Sequence, residues 1–104
     1  MAGGKRMLCT YWPKPGQEEA MRAMLLKHGP ALKSGGLLGD EPVRIWKATD
    51  RSGRTRFVER FDWRDETSSD TAHQLPEVMA VWEPMGELCD DMDFSVVEPI
   101  GDHA

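Results

Sequence analysis

The sequence predicts one α+β domain of ferredoxin-like topology, in which the order β-α-β-β-α-β builds a four-stranded antiparallel sheet with helices on one face. Three observations support this fold. The chain has 104 residues, the size of a single domain. Apolar residues recur at helical spacing in two regions, and the remaining apolar segments are short and rich in strand-forming residues. We therefore expect one domain over residues 1–104, with a core over about residues 5–100.

The first strand and the first helix are predicted in the N-terminal third. Residues Arg6–Trp12 are largely apolar at both alternating sets of positions, which is typical of a strand buried on both faces. A helix should begin near Gln17, and Gly29-Pro30 should kink or interrupt it. Its buried face is predicted from spacings of three and four residues to consist of Met21, Met24, Leu25, His28 and Leu32.

A β-hairpin is predicted in the middle of the chain, with strands over Val43–Thr49 and Arg54–Trp63. Gly53 suits the left-handed position of the connecting loop, and a pairing of Asp50 with Arg54 would set the register. That register divides the side chains between two faces. One face would carry Val43, Ile45, Phe57, Glu59, Phe61 and Trp63, and the other Arg44, Trp46, Val58 and Arg60.

The C-terminal part is predicted to contain a broken helical region and a last strand. A short helix should span about Ser68–Gln74, and a second about Pro76–Asp90, because proline is favoured at the first helical position. Pro84 should bend the second helix. The last strand is expected over Phe94–Ile100, and Pro99 suggests that it lies at a sheet edge.

Composition excludes several classes of function. The net charge is -5 and basic residues form no block, which argues against nucleic-acid binding. No apolar run is long enough to span a membrane, and the first residues lack the apolar region of a signal peptide, so we expect a cytoplasmic protein. Cys9 and Cys89 are 80 positions apart and should be buried free thiols. No spacing of histidines and acids predicts a metal site.

The sheet face without helices predicts a partner. Trp46 and Val58 would be exposed there in a monomer, and large exposed apolar patches usually mark interfaces. Since two-fold dimers are the commonest symmetric assembly, we expect a homodimer that packs sheet against sheet with a cavity between.

Five segments together resemble a known family. In chain order they are Phe57–Trp63, Ala72-His73, Pro76–Val78, Trp82–Pro84 and Phe94–Ile100. They resemble the dimeric α+β barrel superfamily, and within it the antibiotic-biosynthesis-monooxygenase-like (ABM-like) proteins. That family includes cofactor-independent quinol monooxygenases, haem-degrading proteins and members without known activity, so the resemblance alone does not assign a reaction.

The resemblance implies a site whose parts are only partly matched here. It implies an acidic residue on the third strand followed by a histidine, which match Glu59 and His73, although this spacing is longer than the family's. The chain contains no asparagine, so the Asn-Trp-His set of the haem-degrading relatives is incomplete. The resemblance to the ABM-like family implies no cofactor for this protein.

Each candidate residue has a chemical and a structural interpretation. His73 can exchange protons near neutral pH, or it can simply pack at a helix junction. Glu59 becomes a stronger proton acceptor if it is buried, or it forms a salt bridge. Trp46, Trp63 and Trp82 can bind a flat aromatic ligand, or they can be core and interface residues. Arg60, beside Arg44, can hold an anionic group or pair across subunits. His28 is expected to be a core or boundary residue on the buried face of the first helix, and His103 lies in the tail.

Two functions follow from these observations. The first is a cofactor-independent monooxygenase, or an isomerase, acting on a small aromatic or polyketide-like substrate. The second is a non-catalytic dimer that binds a small hydrophobic or aromatic ligand. An acid and a histidine at an enclosed cavity would favour the enzyme, whereas a cavity filled by tryptophans would favour the accessory protein.

Overall fold

The structure is a computed structural model that describes residues 4–101. Its four strands form one antiparallel sheet in the order β2-β3-β1-β4, and helices pack on one side of it. This arrangement confirms the predicted ferredoxin-like topology. The elements are β1 (Arg6–Pro13), α1 (Glu18–Ser34), β2 (Arg44–Thr49), β3 (Thr55–Asp62), α2 (Ser68–Ala72), α3 (Pro76–Leu88) and β4 (Cys89–Val97). Of the tail, His103 lies outside the described residues.

The central hairpin has the predicted register. Ile45 pairs with Glu59, and the backbone N–H of Asp50 donates to the carbonyl of Arg54. Gly53 has a φ of 88°, a left-handed conformation that glycine adopts without steric cost. The carboxylate of Asp50 accepts hydrogen bonds from the backbone N–H groups of Ser52 and Arg54, which stabilises the turn and fixes the register.

The sheet has two chemically different faces. Side chains alternate along each strand, so Cys9, Tyr11, Glu59 and Phe61 share the face that packs on the helices. The opposite face, called the open face here, has no helix over it within residues 4–101. Its central residues are Leu8, Thr10, Arg44, Trp46, Val58, Arg60, Asp93 and Ser95.

Helix α1 does not stop at Gly29-Pro30 but continues to Ser34, so an interruption there is wrong. Pro30 points its ring to solvent, while Gly29 is buried beside Val43, where an added Cβ would lie 3.4 Å from a methyl carbon. Burial of Leu32 on the far side stabilises the last turns and offsets the hydrogen bond that proline removes.

Strand β4 begins at Cys89, five residues before the predicted start at Phe94. Helix α3 ends at Leu88 and the chain enters the sheet directly, where Cys89 pairs with Pro13. The acidic run after Cys89 has low strand propensity, but pairing with β1 outweighs it. β4 lies at a sheet edge, as expected, although Pro99 itself falls beyond the strand.

The core lies between the sheet and the helices and includes both cysteines. Cys9 and Cys89 are buried and unbridged, as predicted. Within residues 4–101, no helix has the length and apolar character that crossing a membrane requires.

Candidate functional site

A cavity of about 350 Å³ lies between the sheet and the helices. This volume falls within the range of pockets that bind small organic ligands. Its wall is mostly apolar and aromatic, and it comes from six of the seven elements and from the residues directly after β3 and α2. The described lining residues are Met7, Cys9, Tyr11, His28, Phe61, Trp63, Ser69, His73, Trp82, Met85, Met92 and Phe94.

Four side chains form a continuous series of hydrogen bonds from the sheet to the helical wall of this cavity. The hydroxyl of Tyr11 donates to Oε1 of Glu59 over 2.7 Å. Nδ1 of His28 lies 2.8 Å from Oε2 and 2.9 Å from Oε1 of the same carboxylate. Nε1 of Trp82 donates to Nε2 of His28 over 2.8 Å. We call this set the Tyr-Glu-His-Trp chain.

The local sequence explains how these groups come together. Glu59 occupies an inward position of β3 between two buried phenylalanines, so the strand alternation directs its carboxylate into the core. His28 lies on the buried stripe of α1, above that position. Glu59 is 0% exposed and His28 is 2% exposed. A buried carboxylate is costly unless it is hydrogen-bonded, and here Tyr11 and His28 supply that compensation.

The hydrogen bonds determine the tautomer of His28. An indole N–H can only donate, so Nε2 must carry a free lone pair. The ring proton of neutral His28 is then on Nδ1, which donates it to Glu59. The histidine therefore presents an acceptor nitrogen on the cavity side, and a carboxylate stands behind it.

Burial also affects the other titratable groups of the cavity wall. Desolvation raises the pKa of the Tyr11 hydroxyl, and the nearby Glu59 carboxylate raises it further. Desolvation likewise raises the pKa of the Cys9 thiol to about 12, again with a contribution from Glu59. Both groups are protonated at neutral pH, so Tyr11 acts as a donor to Glu59 and Cys9 is a poor nucleophile.

Of the six residues predicted from sequence, His73, Trp63 and Trp82 line this cavity and Glu59 lies behind its wall. His73, at the C-terminal end of α2, is exposed to solvent and its ring centroid lies 4.9 Å from that of Trp82. Trp63 packs edge-to-face on Phe61. Glu59 is behind the wall and reaches the cavity only through His28 and Tyr11.

The other two predicted residues do not reach the cavity. Trp46 and Arg60 belong to the open face, on the other side of the sheet. Trp46 is 48% exposed. Nε of Arg60 is buried without a hydrogen-bond partner among the described residues. The geometry therefore gives Trp46 and Arg60 no contact with a ligand in this cavity.

The sequence prediction missed His28 and Tyr11 as site residues. His28 was assigned to the core, and it is indeed buried, but its ring also lines the cavity. The sequence did contain a signal for His28. A histidine on an otherwise apolar helix stripe and a glutamate on an apolar strand face each need a buried polar partner, so the two together indicate a contact between them. Tyr11 gave no such signal, since a tyrosine in a buried strand is ordinary core material.

The described part of the chain contains no cluster of three or more histidine, cysteine, aspartate or glutamate residues that could hold a metal ion.

Comparison with known proteins relates the fold to a group of solved structures. No family model and no curated protein matches the sequence. A candidate antibiotic biosynthesis monooxygenase from Bordetella bronchiseptica superposes with a TM-score of 0.72 at 13% identity, covering 95% of this chain and 99% of that chain. For the one from Chloroflexus aurantiacus the TM-score is 0.61 at 20% identity, with 95% of each chain covered.

A third structure, named an antibiotic biosynthesis monooxygenase, gives a TM-score of 0.71 at 10% identity and covers 91% of this chain and 97% of that chain. The predicted resemblance to ABM-like proteins is thus confirmed at the level of fold.

Proposed function

We propose that this chain, which has the fold of ABM-like proteins, is a cofactor-independent monooxygenase that acts on a small aromatic or polyketide-like substrate. The observation that carries the proposal is the His28–Glu59 pair at the cavity wall. A histidine whose far nitrogen donates to a buried carboxylate is held in one tautomer and orientation, as a general base requires. His28 thus replaces His73 as the proposed base.

The cavity supports an uncharged, flat substrate. None of its described lining residues is lysine, arginine, aspartate or glutamate. Aromatic rings of Phe61, Trp63 and Trp82 form much of the wall and can stack on a planar ligand. An anionic substrate would be desolvated there without a cationic partner, which is unfavourable.

The reaction begins with one proton transfer from the substrate to the protein. His28 accepts a proton from a phenolic or activated C–H position, and the electron-rich anion then reacts with molecular oxygen. For an anthrone, the CH₂ group becomes a carbonyl that keeps one oxygen atom, and the other oxygen atom leaves as water. The substrate supplies all the electrons.

The test compares two histidines of the same cavity with anthrone as the probe. We expect wild-type protein to form anthraquinone with matching oxygen uptake, and His28→Gln to lower the rate by roughly 10²–10⁴, the usual contribution of a general base. His73→Gln, which alters a histidine without a carboxylate partner among the described residues, is the matched control and should keep most of the rate. A rate that depends on His73 and not on His28 would overturn the assignment of the base.

The second candidate function is a non-catalytic binding protein for a similar ligand. The observation that favours it is that Trp82 already occupies the acceptor nitrogen of His28. If the protein is such a binding protein, anthrone binds but is not oxidised. His28→Gln then still binds anthrone and still does not oxidise it. For either function we also propose the homodimer expected from the open face.

A further inference from the structure

Trp82 occupies the nitrogen that the proposed reaction uses. Its Nε1 lies 2.8 Å from Nε2 of His28, and both side chains line the cavity. A substrate proton can reach Nε2 only after the indole N–H has moved away. Because an indole N–H is a donor in every state, it remains available for whatever group takes its place at His28.

We propose that Trp82 donates the hydrogen bond that stabilises the oxyanion of the substrate, and that the substrate is a neutral phenol or enol whose hydroxyl inserts between Trp82 and His28. This inference rests on the proposed function, because it takes His28 as the proton acceptor. A hydroxyl group fits the position because it can donate to Nε2 and accept from Nε1 at the same time.

Of the two side chains His28 and Trp82, Trp82 is the one that can move. His28 is 2% exposed and is held from behind by Glu59, which is itself fully buried and bonded to Tyr11. Trp82 is only partly buried, and the exposed ring of His73 is its other aromatic neighbour among the described residues. Inserting an oxygen atom between the two nitrogens requires them to separate by roughly 2 Å, given ordinary hydrogen-bond lengths.

The proton transfer then proceeds within one line of hydrogen bonds. The substrate O–H bond breaks, its proton forms a bond to Nε2, and the electron pair stays on oxygen. The indole N–H points at that oxygen as its charge develops, and Glu59 faces the imidazolium that forms. Since the described cavity wall has no lysine or arginine, the indole N–H is the donor in direct line with the new charge.

The arrangement selects among ligands of equal shape. A methyl ether has no proton for Nε2, so it cannot replace the indole without leaving the histidine lone pair unpaired. A carboxylate meets the lone pair of His28 and finds only one donor. A neutral hydroxyl compound satisfies both groups.

The experiment uses 4-nitrophenol, whose anion is yellow, and 4-nitroanisole, which has the same ring without the hydroxyl. Wild-type protein should bind 4-nitrophenol largely as the anion at a pH where the free compound is mostly neutral. Trp82→Phe keeps the aromatic contact with His73 but removes the N–H, and it should lower the ratio of bound anion to bound neutral form by roughly tenfold to a hundredfold. Trp12→Phe, on the other side of the sheet from Tyr11, is the matched control and should behave as wild type.

Two results separate the inference from the function on which it rests. If Trp82→Phe holds the anion as well as wild type does while His28→Gln does not, the role of Trp82 is wrong and His28 remains the base. If wild type and His28→Gln both bind only neutral 4-nitrophenol, the proposed base and this inference both fail.

A second measurement covers the case in which Trp82→Phe does not fold. In ¹⁵N-labelled wild-type protein, the indole N–H resonance of Trp82 should shift strongly on adding 4-nitrophenol and little on adding 4-nitroanisole. Equal shifts with both compounds would show that the hydroxyl does not replace His28 as the acceptor, and would overturn the inference.

Discussion

At the scale of single residues, the buried carboxylate of Glu59 determines the roles of its neighbours. This carboxylate accepts hydrogen bonds from the Tyr11 hydroxyl and from Nδ1 of His28. Among the described residues, it is the only acceptor for either of these two donors. Loss of either donor leaves a buried charge less well compensated. The stability of the core and the orientation of the proposed base therefore depend on the same three side chains.

Tyr11→Phe tests this dependence through stability. The change removes one hydrogen bond to a buried charged group and little volume, so we expect the free energy of unfolding to fall by about 1.5–3 kcal/mol. Urea denaturation measures it. Thr10→Val is the matched control on the open face, since its hydroxyl forms no hydrogen bond among the described residues and should matter by less than about 0.5 kcal/mol. Equal decreases in the free energy of unfolding of the two variants would show that the hydrogen bond from Tyr11 to Glu59 does not stabilise the fold.

Cys9 predicts how stability depends on alkaline pH. Burial raises the pKa of its thiol from 9.0 to about 12, so the thiol stays neutral in the folded chain after it would ionise in the unfolded one. A raised pKa gives a contribution that is complete below pH 9.0 and is lost as the pH rises towards 12. Urea midpoints should therefore fall between about pH 9 and about pH 12, and less steeply in Cys9→Ala. A variant whose midpoint falls as steeply as that of wild type would contradict this cause.

At the scale of elements, the two internal prolines show how tertiary packing overrides local preference. Helix α1 continues through Pro30 and helix α3 through Pro84, although each proline removes one backbone hydrogen bond. Both helices bury an apolar face on either side of the proline, as Leu25 and Leu32 do in α1. The energy of that burial exceeds the local cost.

Pro30→Ala tests this balance. Its ring is exposed, so the substitution restores a helical N–H without removing a core contact. We expect a gain of about 1–2 kcal/mol in the free energy of unfolding, less than the full helix penalty because alanine also loosens the unfolded chain. Pro76→Ala is the matched control, since Pro76 occupies the first turn of α3, where proline is favoured. It should give no gain, and a comparable gain there would contradict the positional argument.

The fold was largely predictable because its elements carry local signals. Alternation fixed the hairpin, and Asp50 with Gly53 fixed its register. The start of β4 was not predictable from local signals, because Cys89 continues the apolar spacing of α3 and the acidic residues after it resemble a loop. Only the pairing with β1, a contact distant in sequence, decides that boundary.

The site was predictable only in part, for a related reason. Glu59 was recognisable because a carboxylate on an apolar strand face needs an explanation. Its partner His28 is 31 residues away, and neither spacing nor motif connects the two. His73 attracted attention by its position after the third strand, but hydrogen bonding to a carboxylate distinguishes His28.

At the scale of the whole molecule, the open face has separated charges. Arg44 and Arg60 pair directly across β2 and β3, which is unfavourable for like charges unless another group compensates them. Asp93 lies on β4, at the opposite edge of the sheet. Strand β1 lies between β3 and β4 and carries Leu8 and Thr10 on this face, while Val58 and the exposed ring of Trp46 lie beside the two arginines on β3 and β2. The monomer thus presents a basic and apolar side on β2 and β3 and an acidic edge on β4.

We propose that a second copy related by a two-fold axis along the strands covers this face. Such an axis places β2 of one copy over β4 of the other and β3 over β1, so Arg44 approaches the partner's acidic edge while the two central strands of each sheet pack across the axis. We therefore expect a solution mass of twice 11.7 kDa at micromolar concentration. Arg44→Asp should weaken the dimer by at least roughly tenfold, and adding Asp93→Arg in the same chain should restore it, because the swapped charges again face one another. Arg22→Asp, at an exposed position of α1, is the matched control and should leave the dimer intact. Light scattering across a concentration series measures all four proteins. A wild-type mass near 11.7 kDa would exclude the dimer, and a dimer that Arg44→Asp does not weaken would exclude this orientation of the two sheets.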